Sequence, residues 1–147
     1  MIETKFEEDI LLLIKTLNKT LEADLDKRLS EYGLTAVQGR TLFFITRQTV
    51  MKNKVIHQND VEKKFSLSKS TVSGLIDRLV KKGLVERKNE SRFVELIPTQ
   101  EGLEIVKHFH DNRQKLIQKL TRGLTKEQVD LMKANIKLLT NNMKEGD

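Results

Sequence analysis

The chain contains no cysteine. Disulfides, thiolate metal sites and thiol-based redox sensing are therefore excluded. A single proline and seven glycines, with aromatics at only 5%, argue for a mainly helical chain with few loops. No stretch approaches the ~18 uninterrupted apolar residues of a membrane span, and the apolar cluster Ile10 to Ile14 is too short. The opening Ile-Glu-Thr-Lys-Phe-Glu-Glu-Asp is acidic and unlike a secretion signal, so the expected location is the cytoplasm. No Ser-His-Asp set, Gly-rich phosphate loop or HExxH motif occurs. An enzyme is not expected, and neither catalytic residues nor a cofactor are assigned.

What is present is charge, at 33% of residues and unevenly placed. Residues 1–50 carry 7 bases and 8 acids, and residues 101–147 carry 9 and 7. Residues 51–100 carry 11 bases and 6 acids, so most of the net +6 sits in the middle third. A cationic segment that neutralises phosphates releases counterions, and its binding weakens steeply with salt. At 147 residues the chain reads as one domain, 1–147, large enough for a real core.

The most informative stretch lies inside that basic third, at residues 67–83. Ser68 is an N-cap, its hydroxyl placed to accept from a first-turn N–H. Leu67 and Val72 form a hydrophobic staple around it. Val72, Leu75, Ile76, Leu79 and Val80 follow one buried stripe. The opposite face offers Ser70, Thr71, Gly74, Asp77, Arg78 and Lys81. Gly83 stops the helix after two lysines, where the dipole favours cations. Small hydroxyl residues at the leading end and bases along the outer face suit docking into a DNA major groove.

The flanks support that reading. Residues 57–65 form a shorter amphipathic helix with Val61 and Phe65 one turn apart, joined by Ser66-Leu67 in helix-turn-helix spacing. After Gly83 come two strand-like runs, Leu84 to Lys88 and Arg92 to Ile97, separated by Asn89-Glu90-Ser91. A hairpin directly after such a helix is a wing. Arg87, Lys88 and Arg92 are expected near its tip, facing a neighbouring groove or backbone. Backbone contacts are expected from Ser68, Lys69, Ser70 and Lys88, with Gln58 and Asn59. Base contacts are expected from Thr71, Ser73 and Arg78, with Arg92 acting at the wing.

From Ile56 to Gly102 the sequence resembles the MarR family of winged-helix transcription regulators, through Leu-Ser-Lys-Ser-Thr-Val, Leu-Ile-Asp-Arg-Leu, Lys-Lys-Gly-Leu-Val and Thr-Gln-Glu-Gly. Glu90-Ser91-Arg92 is a conservative version of the family's Asp-x-Arg wing pattern. The wing is shorter than usual, and Gly74 stands where relatives often carry a larger polar side chain. The resemblance implies a mainly α fold with a small β-hairpin wing. A winged helix-turn-helix core, 35–98, is flanked by N- and C-terminal dimerisation helices, 1–32 and 100–147. The helix-turn-helix falls at about 57–82 and the wing at about 84–97. It also implies a homodimer on an inverted-repeat operator in double-stranded DNA, acting as a repressor and relieved by a small-molecule effector.

The remaining segments read as helices. One spans residues 4–31, with a stripe from Ile10 to Leu29 that Leu11 and Leu12 widen. Thr35 and Gln38 make a capping box for the next, in which Leu42, Phe43 and Ile45 face the core. Residues 50–55 read as a loop, with Val55-Ile56 placed to add a third strand. Pro98-Thr99 begins a helix that runs on to Gly123. Thr125 and Gln128 box the last one, where Val129, Met132, Ile136, Leu139 and Met143 make an a/d seam. Leu17, Tyr32, Phe43, Phe44 and Phe109 are candidates to line an effector crevice by position alone; the core is the commoner place for each, and effector residues are not assigned. His57, His108 and His110 form no shared metal set, so no metal is expected. The competing reading is a winged-helix protein-interaction module that does not touch DNA.

Overall fold

A computed structural model of the chain describes residues 8–89 and 93–145. They form seven α-helices and one three-stranded antiparallel sheet. The chain divides into two compact units, one up to Val106 and one from Lys107.

In the first unit, α1 runs Ile10–Ser30. It begins later than the expected residue 4. Asp9 caps it, the Leu12 N–H donating to Asp9 Oδ1 at 2.8 Å. Glu8, just before, has φ +54, which is incompatible with helix. Residues 4–7 lie outside the described residues. α2, Ala36–Thr46, starts in the predicted box: the Gln38 N–H donates to Thr35 Oγ1, and Gln38 Oε1 accepts from the Thr35 N–H. Leu42 and Ile45 are fully buried and Phe43 half-buried.

α2 does not end in the expected loop. It continues as a π-helical turn over Arg47–Met51. The Lys52 N–H donates to the Arg47 carbonyl at 3.1 Å, five residues back. Thr49 Oγ1 donates to the Ile45 carbonyl at 2.8 Å, competing with the regular ladder. The loop proper is therefore residues 52–55.

β1 is Ile56–His57, one residue later than expected. α3, Gln58–Phe65, and α4, Lys69–Lys81, follow. Ser66 turns between them at φ +52. Val61 of α3 and Val72, Leu75, Ile76 and Leu79 of α4 are buried, so four of the five predicted stripe residues form the inner face of the helix pair, while Val80 is half-buried. Truncating one such leucine or isoleucine to alanine typically costs about 2–5 kcal/mol. Gly83 ends α4 at φ +75, a conformation that favours glycine.

β2 is Val85–Lys88 and β3 is Glu95–Pro98, paired antiparallel with Lys88 opposite Glu95. β3 is central, since β1 pairs with its other edge. The second wing strand is thus shorter and later than expected: Phe93 and Val94 are outside it, and Pro98 closes it. Proline fits there because its missing N–H falls at a strand end. Leu84 is buried but precedes the first strand. Arg92, with Glu90 and Ser91, lies outside the described residues.

α5 is Gln100–Asp111. Thr99 holds its start in place. Its hydroxyl donates to the Gly83 carbonyl, accepts the Gly102 N–H at 3.1 Å, and its backbone N–H donates to the Leu84 carbonyl at 3.0 Å. A β-carbon on Gly102 would collide with that same Leu84 carbonyl oxygen, so only glycine allows this approach.

The single long helix expected up to Gly123 is two. α5 stops at Asp111 and α6 runs Arg113–Leu120. Asn112 stands between them: its Nδ2 donates to the His108 carbonyl at 2.8 Å, sharing that oxygen with its own backbone N–H at 3.1 Å. α7, Lys126–Lys144, begins in the predicted Thr125–Gln128 box. In α1 the residues Ile10 to Ile14 and Leu17 are each 46% exposed or more. In α7, considered by itself, Leu131, Met132, Ile136, Leu138, Leu139 and Met143 are all exposed.

Candidate nucleic-acid interface

The outward face of α4 is built from its own sequence. Burying Val72, Leu75, Ile76 and Leu79 turns Ser70, Thr71, Asp77, Arg78 and Lys81 to the surface. At the leading end Ser68 Oγ accepts the Thr71 N–H at 3.2 Å and donates to Thr71 Oγ1 at 2.8 Å. Ser70 Oγ lies 3.3 Å from the same hydroxyl. Three hydroxyls thus cluster where the helix dipole is positive, a setting that favours an anion.

The expected contact residues divide into groups. Lys69, Ser70, Thr71, Arg78 and Asn59 are exposed. Ser68 is exposed too, but its hydroxyl is engaged in the cap. Gln58 is half-buried and spends one amide hydrogen on the Lys69 carbonyl at 3.4 Å, fastening α3 to the start of α4. Ser73 is half-buried. Lys88 ends β2 and is exposed. Arg92 cannot be placed, since it lies outside the described residues.

Two basic residues behave differently from their reading in the sequence. Arg87 does not extend to the wing tip. Its Nη1 lies 2.6 Å from Asp77 Oδ1, and its Nη2 donates to the Ser73 carbonyl at 3.3 Å. The wing strand is thereby clamped onto α4. Lys82, one of the two lysines before Gly83, donates its ammonium to the Gly33 carbonyl in the turn after α1. Neither link has a sequence signal, because both join residues distant along the chain.

Among the described residues no group of three or more His, Asp or Glu side chains that could hold a metal forms, and no helix is long and apolar enough to cross a membrane. An open cavity of about 310 Å³ lies beside the π-helical turn, lined by Val50, Lys54, Glu95 and Leu103 among others. None of the effector candidates chosen by position lines it. Phe44 instead packs edge-to-face on Phe65 of α3, with ring centroids 5.8 Å apart.

A capped helix with a polar, cationic outer face, preceded by a short helix and followed by a hairpin, is a winged helix-turn-helix. Residues 32–92 match the model of the MarR family. The Escherichia coli MarR structure superposes with TM-score 0.71 at 29% identity, covering 90% of this chain and 96% of that one. Staphylococcus aureus MepR, a transcription regulator of the multidrug efflux pump MepA, has the same fold: TM-score 0.80, 24% identity, 92% and 99% coverage. The S. aureus MepR–DNA complex gives TM-score 0.70 at 24% identity, with 94% and 99% coverage. Comparison with curated protein sequences returns no match. Over residues 32–92 the chain is therefore similar to the MarR family of winged-helix transcription regulators, and its fold is theirs.

Proposed function

We propose that the chain is a homodimeric, sequence-specific DNA-binding repressor that recognises an inverted-repeat operator and is released from it by a small-molecule effector. The observation that carries the reading is the outer face of α4. A helix that buries Val72, Leu75, Ile76 and Leu79 presents hydroxyls, Arg78 and Lys81 to solvent, in the most basic third of the chain. The solved MepR–DNA complexes show a protein of this fold on DNA. In this reading Lys69, Ser70, Asn59 and Lys88 meet phosphates, with Gln58 and Ser68 holding the scaffold that aims them. Thr71 and Arg78 reach base edges, Ser73 lies behind them, and Arg92 belongs to the wing.

Dimerisation is supported by the apolar side chains that α1 and α7 each leave exposed, at residues 1–32 and 100–147 as the family implies. One recognition helix reads only a few base pairs. Two of them ~34 Å apart, one turn of DNA, multiply contacts and specify a palindrome. The effector is supported by the similarity of residues 32–92 to the MarR family, and it works only by binding the DNA-competent and incompetent states unequally.

In vitro selection from a random duplex pool tests the reading. The expected result is enrichment of an inverted repeat, bound by two copies and released steeply by salt. A flat selection with no salt-dependent binding would instead favour a protein-docking module.

A further inference from the structure

Asp77 is the one acid in α4, and it sits on the outer face beside Arg78 and Lys81. Its side chain is 62% exposed, that of Arg87 28%. An exposed pair of this kind adds little to folding stability, yet it places a carboxylate on the surface that would approach phosphates. It also determines where Arg87 points. Asp77 Oδ1 and the Ser73 carbonyl, one helical turn apart, hold Nη1 and Nη2 of the same guanidinium at 2.6 and 3.3 Å. Two-point capture of the planar fork fixes its direction as a single contact would not. A cation held this way is neutralised locally and lies along the helix instead of reaching outward.

Resting on the DNA-binding reading above, we infer that Asp77 is a positioning residue that restrains Arg87 and thereby lowers affinity for random DNA more than for the operator. Non-specific binding is almost wholly electrostatic and grows with each cation free to meet a phosphate. Operator binding depends in addition on base contacts, which this ion pair does not supply. Pinning Arg87 therefore lowers the first more than the second and widens the ratio between them. A purely structural clamp would act with the opposite sign, since loosening it would weaken binding to every duplex.

The test uses the full chain, fluorescence anisotropy, a random-sequence duplex and the duplex that the wild type selects. Asp77→Asn should bind the random duplex more tightly at low salt and narrow the specificity ratio. One additional phosphate contact steepens the log–log salt slope by about 0.9, so affinity should fall about threefold more than wild type between about 50 mM and about 200 mM salt. In an Arg87→Ala background the same substitution should add much less. Arg87→Lys, which keeps the charge without the two-point hold, should shift in the same direction as Asp77→Asn. Unchanged or weaker random-duplex binding by both Asp77→Asn and Arg87→Lys would overturn the inference while leaving the DNA reading standing. Absence of salt-dependent binding by the wild type to any duplex would overturn both.

Discussion

Gly74 lies in the middle of α4, and a β-carbon added there would meet nothing within 4 Å. Glycine in a helix interior is less stable than alanine by about 0.5–1 kcal/mol, because its unfolded backbone has more freedom to lose. With no steric penalty to offset this gain, Gly74→Ala should raise unfolding free energy by about that amount. Urea denaturation followed by circular dichroism measures it. Protein concentration must be held constant, because the proposed dimer would couple stability to concentration. The midpoint should rise without a change in slope, since the surface exposed on unfolding barely differs. Gly74 also faces the proposed DNA side, between Ser70 and Arg78 on the same surface. Substitution there should therefore alter operator affinity while stability improves. A lower midpoint would refute the reasoning, for it would mean that the space around Gly74 is filled or that its backbone is strained.

Gly102→Ala should do the reverse, since its new methyl must push aside the Leu84 backbone oxygen; overpacking of this kind costs about 1–3 kcal/mol and lowers the urea midpoint. Ser68→Ala removes the α4 cap and should cost about 1 kcal/mol in the same assay. Arg78→Ala should relax preference at one base position by about 1–3 kcal/mol in a binding-site selection, whereas Lys88→Ala should weaken all duplexes alike. Operator affinity equal to wild type for both variants would remove these two roles.

How much was legible in the sequence varied with the range of the forces involved. The caps at Ser68, Thr35 and Thr125 were readable because each involves residues three apart. The buried stripe of α4 was readable from its period. The break at Asn112 was not, because asparagine is tolerated inside helices and its side chain only shares the His108 carbonyl with the regular backbone bond. The π-helical turn at Arg47–Met51 was missed for a similar reason: a threonine competing for one carbonyl leaves no proline or glycine as a sign. In the candidate interface, the hydroxyl and basic residues of α4 could be listed one by one, but their commitments could not. That Gln58 fastens two helices, that Lys82 reaches Gly33 and that Arg87 folds back on Asp77 are tertiary facts. The last two reduce the cations available to an anionic partner below the number a composition count suggests.

The oxygen of Thr99 makes a rigid corner. Because it grips the exit of α4 at Gly83 and the entrance of α5 at Gly102 together, neither helix end can pivot there without breaking a bond to the other. A tilt imposed on the first turn of α5 therefore loads the bond that the same hydroxyl makes to the tail of α4.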